Sequence, residues 1–365
     1  VGHTLGLRHN MGASSATPVE KLRDKAWVEQ HGHTSSIMDY ARFNYVAQPE
    51  DHIGEAGIFP RVNDYDEWAI RWGYTYYPDA KNEREERDML NRLTVATITN
   101  NPRLWFGGEG RDNNPYALTE DLSDDVMKAS DYGLLNLRRV VKSLPEWTYE
   151  SGNLGDNLVR GYEAAVSQYR RYVGHVCRQI GGVKRVVKSV EQAGDVYSYD
   201  TRERQQRALS WLDRNVLTEP TWLTSPSYGA RIGMPQLRVR PTVASAVDYL
   251  TSSTMFDRLA ANAAQQPAAR AYSPTTYADD LARTLFRETQ SGTRLSAWRM
   301  YVQLRAVNNL IAAYKSDASG DGHAYVTALL TKLRTRLDAS RSADAGTRAH
   351  YADLSRRIRL ALEGK

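Results

Sequence analysis

The sequence predicts a mainly α protein carrying one β-hairpin. Three observations point there: apolar residues recur at helical spacing through most of the chain beyond residue 64, capping residues and turn formers punctuate those stretches, and one run of β-branched residues flanks a Gly-Asp turn. With 365 residues, 41% hydrophobic and 25% charged, the chain has ample material for a sizeable core in more than one domain.

Taken in order, a short helix is expected at Tyr65 to Trp72, placing Trp68 and Trp72 on one face, and a second at Asn82 to Thr97. Residues 100–115 are rich in turn formers and aromatics. They read as a segment that crosses the surface and inserts Trp105 and Phe106 into a groove, a packed linker first and a substrate-side loop as the alternative. Asp121 to Ser143 reads as a helix whose acidic first turn favours the positive end of the helix dipole, and Asn153 to Ile180 as a long amphipathic one. The hairpin falls at 181–199, around Gly194 and Asp195. Helices resume at Arg202 to Asn215, Val243 to Ala264, Thr276 to Glu288, Arg294 to Lys315, Ala324 to Ala339 and Thr347 to Glu363, with no internal repeat. The expected division is 1–75, 76–200 with the hairpin, and 201–365.

Composition narrows the function classes. No stretch approaches the ~18 uninterrupted apolar residues a membrane span requires. A single cysteine, Cys177, rules out an internal disulfide framework and reads as a buried helix residue. The net charge of +5 matches the local excess from Lys332 onward, nine Lys or Arg against four Asp or Glu. Arg334, Arg341, Arg348, Arg356, Arg357 and Arg359 lie among helix formers without interleaved aromatics, which is the pattern of a solvated helical face rather than a nucleic-acid surface. No nucleic-acid partner and no membrane span are expected. Asp317 to Gly322 offers oxygen ligands, but Ala328 stands where a calcium loop needs a bidentate glutamate, so the segment reads as a turn. His31 and His33 flank a loop glycine and are not read as ligands.

The chemistry-bearing signal is at the start of the chain. His3, Gly6 and His9 have the spacing of the second half of the long zinc-protease motif His-Glu-x-x-His-x-x-Gly-x-x-His. The first histidine and the glutamate are expected immediately upstream of Val1. In that motif the glycine adopts a backbone conformation costly for other residues, so the chain turns and His9 swings toward the metal that His3 binds. Three imidazole nitrogens at about 2.0–2.1 Å leave one position of a tetrahedral zinc for water, with the glutamate as general base. Taken alone, this spacing equally describes a helix end with two surface histidines. A second signal stands downstream at Ser35, Ser36, Ile37, Met38, Asp39 and Tyr40, at a distance from His9 that suits a loop returning beneath the metal.

The two signals together resemble the metzincin peptidases: Ser-Ile-Met-x-Tyr is similar to the Met-turn of astacins and serralysins. With the stretch from Tyr65 to Tyr74, the first 75 residues look like the EcxA-like bacterial metzincins. The resemblance implies a zinc endopeptidase, secreted, periplasmic or envelope-associated, acting on peptide or protein substrates, with zincin-domain residues followed by a large helical region. It implies His3 and His9 as zinc ligands, Met38 packed beneath the metal without ligating it, Gly6 as the turn, and 41–45 as one wall of the pocket beyond the scissile bond. Tyr40 occupies the position of a tyrosine that steadies the oxyanion, a task a phenol can perform; packing against the following helices is the other reading. Asp39 departs from the histidine or serine of other families. The segment from Glu120 to Leu134 also looks familiar there, without chemistry attached. Lacking the first histidine and the base, the 365 residues are expected to be inactive and to hold zinc weakly at most. The alternative class is a non-catalytic helical interaction module joined to a degenerate zincin, and a third reading is a weak two-histidine site completed by another group.

Overall fold

The computed structural model describes residues 1–99, 101–110, 114–316 and 320–364. It is mainly helical, with one two-stranded antiparallel hairpin, and divides into two compact units: residues 1–140 with 182–199, and 141–181 with 200–365. Asn100, Arg111 to Asn113 and Asp317 to Ser319 lie outside the described residues, and with them parts of the expected aromatic loop and of the expected Asp317 turn.

The first unit is built largely of short turns. Its helices are α1 (Lys25–His31), α2 (Glu55–Ile58), α3 (Asp64–Tyr74), α4 (Glu83–Ile98) and the start of α5 (Val126–Trp147). Residues 1–60 are rich in Ser, Thr, Asn and Gly, which favour turns over ladders. Their backbone groups therefore pair with buried side chains. Asn44 donates to the carbonyls of Leu22 (2.8 Å) and Gly57 (3.2 Å) while its own oxygen accepts from Val46 and Ala47 (both 3.2 Å). Apolar residues fill the spaces between: Leu22, Val28, Val46 and Leu122 are fully buried, and Met11, Trp105 and Ala117 form a small cluster covered by Tyr116 and Val186.

α3 starts at a capping box in which Asn63 and Asp66 satisfy each other's backbone amides. Trp68 donates to the Thr97 hydroxyl on α4 at 2.9 Å. The helix expected from Asp121 begins at Val126, because Glu120 and Ser123 take left-handed conformations (φ 64° and 73°) and hold 121–125 in turns. Asp125 then accepts from the Lys128 amide, doing the work of a cap. The helix also continues past Ser143 through Pro145. A proline leaves the carbonyl four residues earlier without its donor. That carbonyl, on Val141, accepts the Tyr228 hydroxyl instead. The strands β1 (Val183–Arg185) and β2 (Tyr197–Tyr199) pair Val183 with Tyr199 and Arg185 with Tyr197. They are short because the Val187 and Val190 side chains stay exposed and gain nothing from extending the ladder.

The second unit is a helical assembly: α6 (Asp156–Cys177), α7 (Arg202–Leu212), α8 (Pro226–Ile232), α9 (Pro235–Thr251), α10 (Ser253–Ala264), α11 (Pro274–Leu285), α12 (Glu288–Ser291), α13 (Ala297–Ser316), α14 (Asp321–Ala339) and α15 (Ala345–Leu362). α9 packs on α6 and α13, and α14 on α10, α13 and α15. The single helix expected from Val243 to Ala264 is two, since Ser252 is extended (ψ 147°) and its hydroxyl caps α10 through the Met255 amide. α7 runs into a widened turn at Asp213–Leu217, which turns carbonyls outward. Those of Asn215, Val216 and Leu217 accept Tyr169, Trp298 and Arg299 respectively. Cys177 is buried on α6.

At the centre of this unit Arg299, 6% exposed, pairs with Glu288, 9% exposed, through bonds of 2.7 and 3.1 Å, and also donates to the carbonyls of Thr284 and Leu285. Removing one partner strands a buried charge. Arg299→Met should therefore destabilise the protein by about 3–5 kcal/mol, and the double variant Arg299→Met/Glu288→Leu should recover most of that loss. Urea unfolding of both decides it: equal losses in single and double variants would show that the pair is not what matters.

Candidate metal centre

His3 opens a single 3-10 turn, His3–Leu5, that stops at Gly6, whose φ of 81° is left-handed. The reversal bonds the Gly6 amide to the His3 carbonyl (3.1 Å) and the Leu7 amide to the Gly2 carbonyl (3.1 Å). His9 is thereby returned to His3: their ring centroids lie 4.6 Å apart at 77°. Each ring is fixed by its Nδ1, which donates to a backbone carbonyl, that of Leu7 for His3 (2.9 Å) and that of Met38 for His9 (3.3 Å). A donor at Nδ1 places the lone pair on Nε2.

The Met38 segment is held under this pair. Its carbonyl accepts both the His9 ring and the Asn10 amide (3.0 Å). Met38 itself is 8% exposed and presses so closely on Gly2 that a Cβ there would stand 2.4 Å from its sulfur. Two carboxylates fix the turn from opposite sides. Asp66 on α3 accepts from the Ser36 hydroxyl (2.6 Å) and the Ile37 amide (2.8 Å); Asp39 accepts from the Ser14 amide (2.6 Å) and the Thr34 hydroxyl (2.9 Å). Just past the turn, the Ala41 carbonyl accepts His33 Nε2 at 2.9 Å. Tyr40 lies half exposed with its ring 4.3 Å from that of His9.

A cavity of about 450 Å³ opens over these groups, lined by His3, His9, Met38 and Tyr40 with Ile37 and Val62. A second, of about 550 Å³, shares Leu5 and Leu7 with it and is walled by aromatic residues including Tyr65, Trp68, Trp72 and Phe106. Phe106 stacks on Tyr65 at 6.2 Å, while Trp105 is buried behind it.

His3, His9, Met38 and Tyr40 thus come together in one place, with Gly6 at the reversal. The donor chemistry fits zinc: two imidazoles with Nδ1 engaged by a carbonyl and Nε2 left for a metal, each ring oriented by a second partner as metal-bound histidines generally are. Among the described residues no group of three or more His, Cys, Asp or Glu is arranged around a metal-sized space, so the chain's own set there is the two histidines. Sequence reasoning missed Asn10, whose fully buried side chain donates to the Trp105 carbonyl (2.9 Å) and accepts from the Gly107 amide (2.8 Å), joining the end of the histidine segment to the aromatic loop. It also assigned nothing to His33, since a histidine that serves one carbonyl has no spacing signature.

Two outcomes follow. Asn10→Ala leaves the Trp105 carbonyl and the Gly107 amide without their partner and should cost about 2–4 kcal/mol, read by urea unfolding; a cost below 0.5 kcal/mol would remove Asn10 from this role. Burial pushes the His33 imidazole down to about 4. The unfolded chain, titrating near about 6.5, then binds more protons than the folded one between the two values, so stability is full above 6.5 and falls by roughly 3 kcal/mol as pH drops to 4. Replacement of His33 by Gln should flatten that part of the pH–stability curve.

The model of the Met-zincin family matches residues 1–292. No curated protein and no solved structure matches the chain. A match of that length runs from the histidine pair through the methionine turn and far into the helical body, and on it the chain belongs to the Met-zincin family and carries a zinc-metallopeptidase-type domain.

Proposed function

We propose that this chain forms part of a zinc-dependent endopeptidase, supplying two of the three histidine ligands through Nε2 of His3 and His9 and the floor of the site through Met38. The observation that carries this reading is the pair of Nδ1 bonds to the Leu7 and Met38 carbonyls, which aims both imidazoles before any metal arrives. Zinc, when bound, supplies Lewis-acid activation of a peptide carbonyl and of water. The remaining chemistry belongs to protein groups. Tyr40, whose ring packs beside that of His9, would donate its phenol proton in a hydrogen bond to the oxyanion that develops on the substrate carbonyl. Ile37, Val62 and Leu5 give the cavity an apolar wall that limits water around the reacting carbonyl. Peptide or protein is the substrate class of this reading; among the described residues no helix is long and apolar enough to cross a membrane.

The first histidine and the glutamate base of the long motif are not among these 365 residues. The chain alone should therefore take up zinc weakly and cleave nothing. His3→Ala and His9→Ala should each abolish that uptake, a larger loss than the ~10–100-fold that removing a supporting partner causes. Calorimetric zinc titration and a peptide-library digest check this, and the same assays apply to the chain extended upstream to include a His-Glu pair. Zinc-dependent cleavage by the 365 residues themselves would sink the two-ligand reading, and tight zinc without cleavage in the extended protein would favour a non-catalytic binding module. In the extended enzyme, Tyr40→Phe should lower kcat more than it raises KM; an unchanged kcat would leave Tyr40 a packing residue.

A further inference from the structure

The aromatic cavity of about 550 Å³ is larger than the cavity over the histidines, and neither His3 nor His9 stands in its wall. Four parts of the first unit build it: the histidine reversal from Leu5 to Arg8, α3 with α4, the aromatic loop at Trp105 and Phe106, and residues 187–192 between β1 and β2. Its inner wall is fixed by ring contacts, since Tyr65 stacks on Phe106 (6.2 Å, 13°) and leans on Trp68 (6.0 Å). Trp68 is held by its bond to Thr97, and Tyr74, at the end of α3, ties that helix to the reversal by donating to the Leu5 carbonyl at 3.2 Å. The rim is apolar too: Leu5, Trp72 and Val187 are exposed there. A concave apolar surface left facing water is costly and marks a place where a ligand docks.

Size, charge and position together select the occupant. An apolar cavity of about 150 Å³ takes a benzene ring, so this one has room for a phenyl or indole side chain and part of the backbone that carries it. A cationic side chain, which ring faces otherwise attract, meets Arg8 and Lys188 at the rim. An acidic one meets an Arg8 already paired with Glu109 (3.0 Å) and a Lys188 that donates to the Ala193 carbonyl (2.9 Å). Leu5 and Leu7 stand in the walls of both cavities, on either side of Gly6, so the two adjoin across the reversal that carries the histidines. Two residues of chain span at most about 7 Å, and an extended peptide advances about 3.3 Å per residue. None of residues 41–45 lines this cavity, which sets it apart from the wall beyond the scissile bond. We propose that the aromatic cavity is a specificity subsite for a peptide substrate, taking a bulky apolar side chain (Trp, Phe or Leu) two or three residues from the bond presented to His3 and His9. This rests on the endopeptidase reading and names the side-chain class that such an enzyme selects.

The test titrates blocked pentapeptides, identical except for Trp, Phe, Leu, Ala, Lys or Glu at the centre, into the zinc-free 365-residue protein isotope-labelled at its tryptophan indoles and followed by NMR. Three of its eight tryptophans, Trp68, Trp72 and Trp105, line the cavity, and their N–H signals should move with the Trp peptide while those of Trp147 and Trp222 stay. The Trp, Phe and Leu peptides should bind at least about tenfold more tightly than the other three, because only they bury a large apolar side chain. Trp72→Ala and Val187→Glu change exposed rim positions, so the fold should tolerate them; each should weaken the Trp peptide at least about fivefold, and Trp72→Phe should keep most of the affinity. Equal affinity for all the peptides, signals moving only outside the cavity, or unchanged affinity in both rim variants would overturn the proposal. So would binding of free indole without binding of the Trp peptide, which would make this a small-molecule cavity. Zinc titrated into the same samples tells the two readings apart: peptide selection without zinc uptake would remove the metal reading and leave the cavity, whereas zinc uptake without peptide selection would remove the subsite alone.

Discussion

The Asp66 carboxylate is the fixed point of the first unit. It caps α3 by accepting from the Asn63 amide (3.0 Å), and it holds the methionine turn by accepting from Ser36 and Ile37. One side chain thereby couples the start of a helix to the floor of the candidate metal site. Asn63 completes the coupling, since its amide group donates to the carbonyls of His31 and Thr34 on either side of the loop that leads into the turn. Charge-assisted bonds to backbone amides are stronger than neutral ones and are stronger still when buried. A segment with no strand and almost no helix of its own can be rigid on these terms.

Helices and their order were largely legible because apolar periodicity and caps are local signals; in the second unit α8, α12 and the first eight residues of α9, before Val243, were not expected. What was not legible depended on distant partners. Pro145 reads as a helix end, yet α5 continues because Tyr228, more than eighty residues later, supplies the missing donor to Val141. The widened turn after α7 exists because Tyr169, Trp298 and Arg299 converge on its carbonyls. Ser252 divided a helix that periodicity alone joined, since a cap and a helical serine look identical until the backbone is seen. The valine runs of the hairpin predicted more ladder than forms, for β-branched side chains favour a strand only where a surface covers them.

The candidate site divides the same way. His3, Gly6, His9 and Met38 stand out in the sequence because metal ligation and a tight reversal demand particular residue types at fixed spacing. Asn10, His33 and Asp66 do not stand out, since each is required by a backbone group on another segment, and many side chains could in principle answer that need. Asp39 is the intermediate case. Its place in the turn marks it as unusual, but its role comes from Ser14 and Thr34, whose amide and hydroxyl it accepts.

These supports also bear on the affinity that the proposed two-histidine site would have for zinc. An exposed imidazole on a free chain loses rotamer and backbone freedom when it binds a metal, and that ordering subtracts from affinity. Here the ordering is done during folding: Gly6 sets the reversal, Leu7 and Met38 set the ring orientations, and Met38 is set by Asp66 and Asp39. His9 takes its carbonyl from the very residue that fills the space beneath Gly2, so the ligand and the floor move together. A disturbance of the turn therefore reaches the His9 ring before it reaches that of His3, whose carbonyl partner, Leu7, lies within its own reversal.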